Sequence, residues 1–178
     1  LPARIQAWVD GGGSLATSPY YHPILPLLVD TSHARRCMPD LAVCPPFAHP
    51  EDALVQLQSG RARVEALLGR APEGCWPSEG SVSPEVARLI RAAGFSWFAT
   101  DDGILARSER TGSGDGPWVV EEGLVGLFRS HQLSDRIGFE YANLPADRAV
   151  DDLLAALPEE GTTVLALDGE NPWESFEQ

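Results

Sequence analysis

Apolar residues in this chain recur with two periods, and the alternation between them lays out the elements. In HPEDALVQLQSGRARVEALLG, residues 49–69, they fall at helical spacing. Pro50, Glu51 and Asp52 stand at its start, where a helix tolerates proline and favours negative charge, and Gly69 stands at its end. SPEVARLIRAAG repeats the pattern, with Ser83 as N-cap, Pro84 at the first helical position and Gly94 as C-cap. Two further helices are expected at residues 2–10, stopped by Gly11-Gly12-Gly13, and at 146–157. Short apolar runs between them read as strands: 14–18, 74–76, FSWFAT (95–100), 124–129 and TTVLALD (162–168). Asp101-Asp102-Gly103 reads as a turn and SERTGSGDGP (108–117) as a flexible loop. Strands separated by helices need crossover connections, so the pattern predicts an α/β fold built from right-handed βαβ units around a parallel sheet.

The chemistry-bearing residues recur at one place in these units. Tyr20-Tyr21-His22, Trp76 to Glu79, Asp101-Asp102, Arg129 to His131 and Asp168-Gly169-Glu170 each follow a strand. In parallel sheets and barrels the C-terminal strand ends face one way, and ligands bind there.

Composition narrows the partner. The 178 residues suffice for one domain with a substantial core, and no apolar run approaches the roughly 20 residues that span a bilayer. Net charge is −13, with all 13 basic residues arginine, which argues against nucleic acid or an anionic membrane as partner. Cys37, Cys44 and Cys75 are odd in number and lack metal-binding or redox spacing, so they read as free thiols in a reducing, cytoplasmic compartment. Cys75 is expected to pack on a strand. The first thirty residues show no basic start followed by an apolar core, but Leu1 is not a natural start, so an upstream segment is expected. Oligomeric state stays open.

Asp168, Glu170 and Glu174 crowd together after an apolar run, beside Trp173. Two carboxyl groups on different elements are what glycoside cleavage requires. In retaining enzymes they stand about 5–5.5 Å apart, one attacking the anomeric carbon and the other handling the proton. Glu79 and Asp168 are far apart in sequence and each follows a strand. Trp76 and Trp173 beside them could stack on a pyranose ring, and Trp76 could desolvate a carboxyl group. Glu170 reads as a ligand for sugar hydroxyls or a brace for Asp168, and Glu174 as a solvated neighbour. His33 and His49 lack such context and read as structural or exposed.

Five blocks, TSPYYHPILPLL, GCWPSEGSVS, FATDDGIL, LFRSHQLSDRIGF and LALDGENPWE, appear in an order that resembles glycoside hydrolase family 57. The resemblance covers nearly the whole chain apart from residues 108–117. It implies a parallel (β/α)7-type barrel and a retaining enzyme acting on α-glucans such as starch or glycogen, as hydrolase, 4-α-glucanotransferase or branching enzyme. It implies Glu79 as nucleophile and Asp168 as general acid/base, with no cofactor and no metal. His22, Trp76, Arg129, His131, Asp135 and Trp173 fall in blocks that line the family's sugar cleft, so the resemblance implies that they bind substrate or support residues that do.

Three departures stand out. The family's His-Gln-Pro block is missing, and the sequence ends at Gln178, soon after Asp168, so a partial barrel from the centre of a larger catalytic domain is expected. Ser130 stands where an acid would follow Phe128-Arg129, which would weaken a polar network there. Two other readings remain open: a metal-dependent barrel enzyme like the polysaccharide deacetylases, and a non-catalytic carbohydrate-binding fragment. No H-x-x-x-H or H-E-x-x-H spacing supports the first.

Overall fold

The computed structural model describes residues 2–42, 46–109, 116–167 and 176. The chain divides into two compact units, residues 1–100 with 118–126 and residues 101–117 with 127–178.

In the first unit, helix α1 (Pro2–Asp10) ends at the glycine run and leads to strand β1 (Ala16–Thr17). Helices α2 (Leu25–Val29) and α3 (Ala34–Cys37), joined by a 3-10 turn at Thr31–His33, occupy a stretch for which the sequence pattern predicts nothing. Their run Leu-Pro-Leu-Leu-Val is apolar on every side and too short to show a period. Helix α4 (Pro50–Leu68) has the expected caps: Pro50 at its start, Glu51 and Asp52 in its first turn, and Gly69 in the left-handed region at φ 69°. Its buried face, Ala53, Leu57 and Gly60, follows the i, i+4, i+7 spacing.

Strand β2 (Gly74–Cys75) comes next, then helix α5 (Pro84–Ala92), whose Ser83 side chain accepts the Val86 N–H at 3.3 Å. Ala93 rather than Gly94 caps α5, with Gly94 following at φ 92°. Strand β3 (Trp97–Asp101) and the hairpin of β4 (Trp118–Glu121) and β5 (Leu124–Arg129) complete a sheet ordered β1-β2-β3-β5-β4.

The sheet is mostly parallel, as the α/β pattern predicts. β1 pairs with β2 and β2 with β3 in parallel, with Cys75 opposite Thr17 on one side and Phe98 on the other. It is not wholly parallel: β4 runs antiparallel to β5. The pattern misses β4 because Val119 and Val120 are both exposed on an edge strand, so no alternation marks it. The core packs Leu25, Leu57, Cys75, Val86, Ile90, Phe95, Phe98 and Leu124 together. Burial pushes the Cys75 thiol up to about 12, which makes it a packing residue and an inert nucleophile. Cys37 is a free, exposed thiol, and Cys44 lies outside the described residues.

In the second unit, Asp101-Asp102-Gly103 is not an isolated turn but the start of helix α6 (Asp102–Ala106), capped by the Asp101 side chain on the Gly103 N–H at 2.9 Å. Helix α7 (His131–Asp135) continues into a π-helical turn, Arg136–Glu140, and a 3-10 turn, Tyr141–Asn143. Asp152, on helix α8 (Ala146–Ala156), accepts from Tyr141 at 2.7 Å and from Arg136 at 2.9 Å, which ties α8 to those turns. The strand expected at 162–168 reduces to a parallel bridge between Val164 and Arg129 among the described residues. The loop expected at 108–117 falls mostly on residues outside that set, 110–115.

Gly60 of α4 packs against the loop after β1. A Cβ there would clash with the Ser18 carbonyl oxygen and lie 3.3 Å from the Tyr20 nitrogen. Helix propensity alone favours alanine by about 1 kcal/mol, but both contacts are backbone and cannot swing aside. Gly60→Ala is therefore expected to destabilise the protein by roughly 1–3 kcal/mol, read as a lower midpoint in thermal unfolding. An unchanged or raised midpoint would contradict this packing.

Candidate functional site

The loop after β2 is built to display Glu79. The Trp76 N–H donates to the Thr17 carbonyl at 3.0 Å and extends the parallel ladder one residue past the strand. Pro77 then leads into a 3-10 turn, Ser78–Gly80, closed by the Gly80 N–H on the Pro77 carbonyl (2.8 Å) and the Ser81 N–H on the Ser78 carbonyl (3.0 Å). Within this turn Glu79 adopts φ 57° and ψ 23°, a left-handed conformation. It costs a residue with a Cβ roughly 1–2 kcal/mol. Gly80 follows at φ 66°. Ser78 and Gly80 are buried, whereas the Glu79 side chain is 73% exposed. The turn buries its flanks and turns the carboxylate outward.

Among the described residues, His22 is the other non-glycine residue with positive φ, at 55°. Its Nδ1 lies 4.0 Å from Glu79 Oε1, a close approach rather than a hydrogen bond. The loop that carries it is held to α4, since the Tyr20 N–H donates to the Gln56 carbonyl (3.0 Å) and the Tyr21 N–H to the Gln56 side chain (2.8 Å). Strained non-glycine residues persist only where their surroundings over-determine them, and such residues cluster at functional sites. Here two of them stand on adjacent strand ends with their side chains facing each other. Trp76 is half-buried and lies over Gly80, where an added Cβ would meet its Cη2 at 3.8 Å.

Beside this turn, the hydroxyl of Thr100 at the end of β3 donates to the Gly80 carbonyl at 2.5 Å, and Thr100 is fully buried. The sequence does not point to this contact, since a threonine in a strand carries no signal of the partner it bonds.

The second unit holds a charged cluster. Arg129 Nε donates to Asp101 Oδ2 at 3.1 Å and Nη1 to Asp135 Oδ1 at 3.4 Å. The His131 ring stands between the same two carboxylates, with Nδ1 3.1 Å from Asp101 Oδ2 and Nε2 3.1 Å from Asp135 Oδ2. Arg129 Nη2 also lies 3.1 Å from Nδ1, which can donate to the carboxylate or accept from the guanidinium, one at a time. The His131 N–H donates to Asp102 Oδ2 at 3.2 Å. Arg129 is thus held on three sides, and Ser130 does not weaken the network as expected. Its hydroxyl instead caps α7 by accepting the Leu133 N–H at 3.3 Å.

Asp101 and Asp102 stand among the strand-end residues that the sequence singles out, but Asp-Asp-Gly also reads as an ordinary turn, so the sequence assigns them no role. The available signal was their place at a strand end shared with the Arg129 and His131 block.

The segment leading to Asp168 is pinned twice. The Ser130 N–H donates to the Val164 carbonyl at 2.8 Å, and the Ala166 N–H to the buried Ser134 hydroxyl at 3.2 Å. Asp168, Glu170, Trp173 and Glu174 lie outside the described residues. Elsewhere, His33 is tucked against Glu85 at 3.8 Å, and His49 is an exposed partner of Glu51 at 2.8 Å. Among the described residues, no group of three or more His, Cys, Asp or Glu is placed to hold a metal ion.

Burial acts to raise the Asp101 carboxyl, but the Gly103 N–H, the His131 ring and the Arg129 charge outweigh it and hold the group below its ordinary value of 3.8. A depressed carboxylate contributes stability that is full above the ordinary value and is lost as pH falls through the lower folded one. Asp101→Asn keeps an oxygen for the Gly103 N–H and deletes the charge, so a loss of about 1–3 kcal/mol is expected at neutral pH. Acid unfolding below pH 3.8 should become shallower in the variant. An unchanged acid limb would show that the cluster is not coupled to folding.

A family model described as "Glycosyl hydrolase family 57" matches residues 9–178. Among solved structures, the chain is similar to a 4-alpha-glucanotransferase from Thermococcus litoralis (19% identity, TM-score 0.65), covering 96% of this chain and 24% of that one. It is similar to the alpha-amylase AmyC from Thermotoga maritima (17%, TM-score 0.63; 81% of this chain, 26% of that one). It is also similar to a GH57-type branching enzyme from Pyrococcus horikoshii (19%, TM-score 0.57; 79% and 26%). No curated protein matches the chain. These likenesses show the fold, and the chain spans about a quarter of the length of the structures it matches.

Proposed function

The chain belongs to glycosyl hydrolase family 57, and from that membership we propose that the protein cleaves or transfers α-glucan chains with retention of anomeric configuration. In this reading Glu79 attacks the anomeric carbon while Asp168 protonates the departing glycosidic oxygen. Asp168 then takes a proton from water, or from an acceptor sugar hydroxyl, as the glycosyl-enzyme bond breaks. The observation that carries the proposal is the presentation of Glu79. A fold that holds a non-glycine residue at φ 57° and leaves its side chain 73% exposed is keeping that carboxylate available.

The other candidates take supporting roles. His22, 4.0 Å from Glu79, donates to a substrate hydroxyl. Trp76 and Trp173 offer ring faces to a pyranose. Arg129 and His131, oriented by Asp101 and Asp135, present N–H donors to sugar oxygens, and Glu170 accepts from sugar hydroxyls or braces Asp168. The net charge of −13 suits a neutral, hydroxyl-rich substrate and disfavours polyanions.

Incubating the whole protein with maltoheptaose tests the reading. Shorter sugars alone would indicate hydrolysis, and longer ones as well would indicate transfer. Glu79→Ala should lower turnover by on the order of 10⁴-fold or more, since a covalent nucleophile has no substitute. Normal turnover by that variant would overturn the assignment.

A further inference from the structure

We infer that Thr100 is a positioning residue for Glu79, acting through the Gly80 carbonyl. The inference rests on the reading of Glu79 as nucleophile. Register supplies the first ground. Gly74 pairs with Trp97 and Cys75 with Phe98, so two steps further along β3 Thr100 comes level with the turn that displays Glu79.

Side-chain alternation supplies the second. Thr100 shares a face with Phe98, which is 1% exposed, and is itself fully buried. Valine has the same shape and would fill that position without a polar atom. A buried hydroxyl is costly unless satisfied, and the Gly80 carbonyl at 2.5 Å satisfies it.

The third ground is what this hydrogen bond holds. Glu79 at φ 57° and Gly80 at φ 66° form two successive left-handed residues. The backbone bonds that close the turn, Gly80 N–H to Pro77 and Ser81 N–H to Ser78, leave the Gly80 carbonyl for Thr100. That carbonyl faces inward to Thr100, on the residue next to the one whose side chain turns outward. Without the hydroxyl, a buried acceptor loses its donor, and the turn regains one only by rotating the peptide between Gly80 and Ser81. The same peptide carries the Ser81 N–H that closes the turn on Ser78, so its rotation loosens the turn around Glu79 and moves the carboxylate. The hydroxyl of Thr100 therefore fixes the angle at which Glu79 meets substrate, without touching substrate itself.

The test compares Thr100→Val, which keeps shape and loses the hydroxyl, with Thr100→Ser, which keeps the hydroxyl and loses the methyl. Kinetics of the whole protein on maltoheptaose should show kcat lowered about tenfold or more in T100V, since small misplacements of a reacting group are costly. KM should stay within about twofold, because the sugar-binding groups are unchanged. T100S should recover most of kcat despite a lower melting midpoint, since it leaves a cavity the size of a methyl group.

A T100V that keeps kcat overturns the inference, as does a loss of kcat that follows thermal stability across both variants. Thr100→Ala replaces T100V if the latter does not fold. A crystal structure of the hydroxyl-free variant gives a readout independent of activity. Glu79 leaving the left-handed region supports the inference, and Glu79 remaining near φ 57° overturns it. If the unsubstituted protein leaves maltoheptaose unchanged, the functional reading falls while this conformational measurement still decides the role of Thr100.

Discussion

The parallel ladder joining β1, β2 and β3 is the constraint on which the rest of the first unit depends. Parallel pairing makes all three strands end on the same side, so the loops carrying His22 and Glu79 emerge beside Thr100 at the end of β3. The strands are short, two residues each in β1 and β2, and the Trp76 N–H to the Thr17 carbonyl extends the pairing just as far as the Glu79 turn needs. From there the fold spends stability on conformation. Two non-glycine residues sit in the left-handed region and a hydroxyl is buried in the core, each offset by a specific hydrogen bond or by packing. That pattern fits a segment shaped by chemistry as well as by folding.

The second unit solves a different problem with charge. An arginine at the end of β5 and a histidine at the start of α7 would be loosely placed if left to solvent. Asp101 and Asp135 clamp both, and Asp101 also caps α6, so one carboxylate couples the start of a helix to the geometry of two cationic side chains. Ser130 and Ser134 hold the backbone at Val164 and Ala166 in the same unit. The residues that carry hydrogen-bonding power are thus fixed by neighbours whose own role is structural.

How far the sequence alone could see follows from the same physics. The long helices α4 and α5 were legible because their caps and apolar spacing are local signals: Pro50, Glu51 and Gly69 in one, Ser83 and Pro84 in the other. Glu79 and His22 were legible as candidates from their blocks, but not their positive φ, which depends on packing around the turns. β4 was invisible because an exposed edge strand has no buried face to imprint on the pattern. Helix α2 was invisible because Leu25, Leu27, Leu28 and Val29 leave no polar face to set a period, and α3 because its four residues are too few to show one. The roles of Asp101 and Thr100 were not legible, for a shared reason. Their importance lies in partners distant in sequence, Arg129 and His131 for one and Gly80 for the other, and composition cannot show a partner.

The most direct measurement of the central claim is to trap the glycosyl-enzyme. A fluorinated α-glucosyl fluoride forms the covalent intermediate quickly and releases it slowly, so the adduct survives proteolysis and can be located by mass spectrometry. The account predicts a single fluoroglucosyl label on Glu79, within the stretch GCWPSEGSVS. A label on any other residue, or none in a preparation that turns over α-glucan, would contradict it.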